Sequence, residues 1–140
     1  MNPVRHADLV IRPIALDRVG FWATARAPRD VLLYSPELRQ SDSVLGRLKQ
    51  HRFKRQVPSS NLELLAVLAR TGLGVAVLPE RVARTHGAGR LRPLAGWPEH
   101  RDEVCLVYRH DLPKTAGGGE LIRRLGMPLP STPIMRGVQF

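Results

Sequence analysis

The residues of this 140-residue sequence best suited to chemistry are hydroxyls and an amide placed at the ends of apolar runs. Ser59, Ser60 and Asn61 stand directly before the leucine-rich stretch LELLAVLAR, at the amino-terminal, positive end of a predicted helix. Free backbone N–H groups and hydroxyls at such a place hold carboxylates or phosphates without any charged side chain. Ser35 closes the apolar run Val31 to Tyr34 in the same manner. In open α/β sheets, ligands collect at the carboxyl ends of strands. Ser60 also has a plainer reading as a helix cap, because Ser60-Asn61-Leu62-Glu63 fits the capping box. The two roles are compatible, since a cap orients the same N–H groups.

Catalytic constellations are missing. The histidines at 6, 51, 86, 100 and 110 share no metal-ligand spacing with one another or with Cys105, so no metal and no cofactor is expected. Cys105 lies inside the apolar run Val104 to Val107 and reads as a buried, inert thiol. There is no G-x-S-x-G elbow and no phosphate-binding loop of the Walker type. "GLG" at 72 to 74 follows a helix rather than a strand and reads as a turn; "GGGE" at 117 to 120 follows a charged loop and reads as a flexible linker. The chain is not expected to be an enzyme.

The formal charge of +10 comes mostly from arginine, with lysine only at 49, 54 and 114. Such a balance attracts phosphate backbones and anions in general. The one dense cluster, RLKQHRFKR at 47 to 55, reads as the wet face of a helix and the loop after it, because the other arginines are scattered and aromatics make up only 5%. No apolar run is long enough to span a membrane, and the first residues lack the apolar centre of an export signal, so a cytoplasmic protein is expected.

Positioning these residues requires an α/β arrangement. Residues 7 to 11 read as a short buried strand ended by Arg12-Pro13, and 16 to 30 as irregular. Val31 to Tyr34 is a second strand. Residues 41 to 50 read as a helix capped by Ser41 or Asp42, with Val44, Leu45 and Leu48 on one face, and Val57 as part of a short strand halted by Pro58. In the next helix Leu62, Leu65, Leu68 and Ala69 form a stripe that Leu64 and Val67 widen, so it should be nearly surrounded by protein. Gly72 is its expected left-handed C-terminal residue. Leu73 to Leu78 reads as a central strand, 80 to 86 as a short helix, 91 to 94 and 103 to 109 as strands, and 120 to 125 as a last helix. The proline-rich tail, 127 to 140, reads as disordered.

In this order, ADLVIRP, VLLYSPELRQ, VPSSNLELLAVLARTGLGVAVLPERV, GRLRPL and EVCLVYRHDLPKTAGGGELIRRL resemble the effector-binding domain of LysR-type transcriptional regulators. The resemblance covers residues 7 to 126. It implies a periplasmic-binding-protein-like (type 2) α/β fold of two subdomains with a small effector in the cleft between them. On this layout 31 to 93 is a complete second subdomain, while 7 to 30 and 94 to 126 are a partial first subdomain. The family's hydroxyl contacts to an effector carboxylate fall on Ser35 and Ser60, with Ser59 and Asn61 as neighbours. Pro79 becomes an apolar lip, and Arg12 faces the cleft from the other side, able to pair with an anion.

The resemblance also implies a winged helix-turn-helix and linker helix, which the sequence lacks, and a dimer contact through a first helix that it lacks too. The expected partner is therefore a small carboxylate effector, with no membrane, no specific DNA contact by this chain alone and an incomplete dimer interface. Two other readings stay open: a free-standing solute-binding module of the same architecture, and a basic nucleic-acid binder resting on charge alone.

Overall fold

The computed structural model describes residues 8–126. The tail expected to be disordered lies outside them. Eleven elements follow in chain order: strand β1 (Leu9–Ala23), β2 (Val31–Tyr34), helix α1 (Arg39–Arg47), β3 (Arg55–Pro58), α2 (Leu62–Arg70), β4 (Val75–Pro79), α3 (Glu80–His86), β5 (Arg92–Pro93), β6 (His100–Arg109), a 3₁₀ turn at Leu112–Lys114 and α4 (Gly118–Leu125). The strands run β3-β2-β4-β1-β5 across one sheet, with β6 paired to β1 off that path. This is the mixed α/β architecture the sequence implies. The chain forms two compact units: residues 17–102, and the described residues 8–16 with 103–126. The boundaries fall inside β1 and inside β6.

In the 17–102 unit, β2 is parallel to both β3 and β4, and the second half of β1 is antiparallel to β4 (Val19 opposite Pro79, Trp22 opposite Ala76). Side chains alternate faces along a strand, and here both faces are covered. Val31 and Leu33 of β2, Ala76 and Leu78 of β4 and Trp22 of β1 pack with Leu65, Ala66 and Ala69 of α2 and Ala83 of α3. Leu32, Val75, Val77, Val19 and Phe21 point the other way, toward Val44 of α1, with Phe53 and Trp97 partly covering that side. The result is a three-layer sandwich. All five residues of β4 are buried, as a central strand coated on both faces requires. Each large side chain removed from water in this way contributes about 1.5–3 kcal/mol before entropy is subtracted.

The turn between α2 and β4 depends on two glycines. Gly72 has φ +87°, and a Schellman pattern closes the helix: Gly72 N–H donates to Ala69 O at 3.0 Å and Leu73 N–H to Leu68 O at 3.4 Å. Gly74 then passes so near β2 that a Cβ there would lie 2.5 Å from the Val31 carbonyl oxygen. The GLG segment is a turn, as its position after a helix implies.

Several local expectations are corrected. β1 does not stop at Arg12-Pro13 but runs to Ala23, so much of the segment read as irregular is strand. Pro13 is exposed, and a strand tolerates a proline where no ladder donor is needed. From Phe21 to Ala23 every residue is buried, which erases the alternation a sequence reader looks for. Helix α1 begins at Arg39 after Leu38, with no side-chain cap, and ends at Arg47; Ser41 is buried inside it. Pro58 is the last residue of β3 rather than a stop before it. Leu64 is 46% exposed, so α2 is not surrounded. The GGGE segment is no linker: Gly118 is buried and begins α4, and a Cβ there would meet the Leu112 carbonyl oxygen. Cys105 is a free thiol and only partly buried. The basic run 47 to 55 is the end of α1 and the loop after it, where Arg47 donates to Ser43 O and Glu99 O and Lys54 lies 3.6 Å from Asp30.

Candidate functional site

The parallel strands β2 and β3 end side by side, with Tyr34 opposite Pro58, so the residues that follow them meet at one end of the sheet. Ser59 N–H donates to Tyr34 O at 3.0 Å and ties the second loop to the first. The connection from β2 through α1 leads to β3 on one side, and the connection through α2 leads back past β2 to β4 on the other. Such a reversal of strand order opens a crevice at the carboxyl ends of the strands. Ser35, Ser59, Ser60 and Asn61 all follow these strand ends.

Their individual states differ. Ser35 is 2% exposed, yet its hydroxyl has no hydrogen-bond partner among the described residues; its carbonyl accepts from Leu38 N–H at 3.3 Å and from the Ser41 hydroxyl at 3.2 Å. Asn61, not Ser60, is the helix cap: its Oδ1 accepts from Leu64 N–H at 3.0 Å. The Ser59 hydroxyl in turn accepts from Asn61 N–H at 3.1 Å. The expected capping box is therefore replaced by two linked side-chain-to-backbone bonds one residue out of step. Asparagine and serine cap equally well, so sequence preference did not decide between them. Ser60 is thereby left exposed, with its hydroxyl and N–H both without partners among the described residues, as are the N–H groups of Leu62 and Glu63. Several donors stand where the α2 dipole is positive, which favours an anion; the one carboxylate of that turn, Glu63, lies 3.7 Å from His86.

Pro79 ends β4 and precedes α3 at the same end of the sheet; it is buried. Arg12 belongs to the other unit, on an exposed stretch of β1, where its guanidinium would contact a Cβ at Gly126. The serines and Asn61 are thus brought together within one unit, and Arg12 is not among them.

A charge cluster beside Pro79 escaped the sequence reading. Arg18 grips Glu80 with two bonds, 2.9 and 3.1 Å, and Arg84 adds a third at 2.8 Å. Arg81 lies 3.4 Å from the buried carboxylate of Asp17. The hydrogen bond from Arg18 is the main force holding the Glu80 carboxyl below its usual range, with Arg84 acting in the same direction. Arg18 is correspondingly held above its ordinary value by Glu80. Only the Glu80–Arg84 spacing of four on a predicted helix could have signalled any of this.

Among the described residues no three His, Cys, Asp or Glu side chains group as a metal site, and no helix is long and apolar enough to cross a membrane.

The fold recurs in known regulators. Full-length HypT from Salmonella typhimurium, a hypochlorite-specific LysR-type transcriptional regulator, superposes with a TM-score of 0.65 at 23% identity over 86% of this chain and 47% of that one. The apo-form regulatory domain of HypT gives 0.63 at 21% identity over 87% and 65%. Full-length LysG from Corynebacterium glutamicum, with bound effector Arg, gives 0.61 at 19% over 92% and 50%. The chain thus spans less than two thirds of the length of each. No curated protein sequence matches it. The model of the LysR substrate binding domain matches residues 1–126, nine tenths of the chain, and with the periplasmic-binding-protein-like fold this makes the protein a member of the LysR substrate-binding-domain family, a transcription-regulator domain and not an enzyme.

Proposed function

We propose that the crevice at the ends of β2 and β3 is an effector site for a small carboxylate. Ser35 and Ser60 donate to the ligand through their hydroxyls. The Leu62 and Glu63 N–H groups complete the anion cradle, Ser59 and Asn61 fix its backbone and Pro79 supplies apolar wall. The observation that carries the reading is the Ser35 hydroxyl, which stands at this end of the sheet with no partner among the described residues and in contact with solvent, open to a ligand acceptor. The presence of an amino-acid effector in LysG is in keeping with a carboxylate-reading site. On this reading the domain works in the cytoplasm as the sensing part of a regulator; the described elements make no specific DNA contact themselves, and the 17–102 unit holds the second subdomain.

A thermal-shift screen of small mono- and dicarboxylates, amino acids included, tests it. A ligand at a hundred times its dissociation constant adds about 2.7 kcal/mol. Ser35→Ala and Ser60→Ala should each reduce the shift. A hit whose affinity survives both substitutions overturns the site.

A further inference from the structure

The 17–102 unit has a second concave site at the opposite end of its sheet. β1 runs antiparallel to β4, so the chain leaving β1 at Ala23 lies beside the start of β4, remote from Ser35 at the end of β2. There a cavity of about 490 Å³ is lined by Thr24, Ala25, Arg26, Arg70, Thr71, Gly72 and Arg90. Three guanidiniums share one hollow, and no carboxylate lines it.

The arginines fall into two groups by pairing, and Arg26 and Arg90 belong with Arg12, Arg39, Arg52 and Arg55 in the group without carboxylate partners; only Arg26 and Arg90 of these line the hollow. Arg18, Arg81, Arg84, Arg101, Arg109 and Arg124 all lie against carboxylates. Arg26 and Arg90 have neither an ion pair nor a side-chain hydrogen bond among the described residues. Arg70 is held in place by donating to His86 O at 3.1 Å, which leaves most of its five donors unused. Around these charges the backbone is fixed. Arg29 donates to Thr24 O and Ala27 O at 3.3 and 3.2 Å, and so pins the loop that carries Arg26. Three C-terminal carbonyls of α2 are taken up within the turn: Val67 O accepts from Thr71 N–H, Leu68 O from the Thr71 hydroxyl at 2.7 Å and from Leu73 N–H, and Ala69 O from Gly72 N–H. The Thr24 hydroxyl remains available as a donor.

We propose that this cavity binds a small polyanion, an oligophosphate chain of two or more phosphoryl groups, by fork-like contacts from Arg26, Arg70 and Arg90. Guanidinium forks match phosphate oxygens in pairs, which ammonium groups do not. The hollow is open to solvent, and its volume of about 490 Å³ leaves room for more than one phosphoryl group. The same chemistry is offered by free oligophosphate and by the phosphate chain of a nucleotide.

Isothermal titration with tripolyphosphate, a nucleoside triphosphate, orthophosphate and sulfate, at about 50 and 150 mM salt, decides the matter. The expected result is tripolyphosphate binding at least about tenfold tighter than orthophosphate or sulfate, with about a tenfold loss in Arg26→Gln/Arg90→Gln. The pair Arg39→Gln/Arg52→Gln removes the same charge outside the cavity and should leave binding nearly unchanged, as should Ser35→Ala. A nucleoside triphosphate binding equally well identifies the phosphate chain as what is read; tighter binding identifies the nucleotide as the source. Equal affinity for sulfate and tripolyphosphate, or equal losses in the two arginine pairs, overturns the proposal. Because Arg26 and Arg90 are exposed, the thermal melts of the variants should match that of the parent, and a circular dichroism melt checks this on the same samples.

Discussion

The Ser41 hydroxyl, inside the first turn of α1, donates to the Ser35 carbonyl oxygen at the end of β2 at 3.2 Å, with both residues at most 2% exposed. A helix thus holds the backbone from which the candidate ligand hydroxyl projects. Ser41→Ala leaves the Ser35 carbonyl with one remaining donor, Leu38 N–H. The expected cost is about 1 kcal/mol of stability, together with weaker binding of any carboxylate that Ser35 contacts. Urea denaturation and titration of the same variant measure the two effects. Unchanged stability would show that the bond contributes nothing net.

At the start of α2, the cap assignment predicts opposite outcomes for adjacent residues. Asn61→Ala removes the acceptor for Leu64 N–H and should cost about 1 kcal/mol. Ser60→Ala removes no bond within the protein and should stay within about 0.5 kcal/mol of the parent, while weakening carboxylate binding. Chemical denaturation of the pair is the test. The reverse ranking would restore the capping box.

How far these points were legible in the sequence depended on the scale of the signal. The leucine pattern of α2, the glycine that ends it and the β-branched run of β4 are local and periodic, and all three appear where the sequence places them. The helix Glu80–His86 matches its expected range. β1 was lost because its burial is decided by non-local partners: Trp22 faces α2 and α3, while Phe21 and Ala23 face the other layer, so no period survives. That Ser35 and Ser59 follow strands ending at one side of the sheet was legible because both strands were read from local apolar runs. Arg18 meeting Glu80 across 62 positions, and three arginines around one cavity, are products of the sheet order alone.

The Arg18–Glu80 pair makes a pH prediction. The folded-state pKa of Glu80 is lowered from its ordinary 4.5, first by the hydrogen bond from Arg18. Its stabilising contribution is therefore complete above the unfolded value and is lost as pH falls through the lower folded value. The Arg18 side chain is 42% exposed, so solvent screening keeps the contribution to about 1 kcal/mol. Glu80→Gln should be less stable than the parent by that amount at pH 7, and the gap should shrink below pH 4.5. Denaturation at pH 7, 5 and 3 follows it. A gap that stays constant across that range would mean the carboxylate charge is not what stabilises the pair.

Burial is divided unevenly between the two units, and this sets the order in which the chain should come apart. Among the described residues outside 17–102, Ile122 is the single buried large hydrophobic, at 8% exposure, whereas Leu9, Leu16, Val107, Leu121 and Leu125 are exposed. The 17–102 unit holds both apolar clusters and every fully buried large side chain. Local opening costs least where few apolar contacts must be broken. Thermolysin, which cuts beside large apolar residues, should therefore cleave within 103–126 before it cuts anywhere in 57–80, which holds the end of β3, α2 and β4. The exposed leucines should also promote association of the purified chain, seen as broad, concentration-dependent elution on sizing. A first cut inside α2 or β4 would overturn this order. So would a sharp dimer peak with the 103–126 segment fully protected, since that would mean a partner covers those leucines in a defined interface.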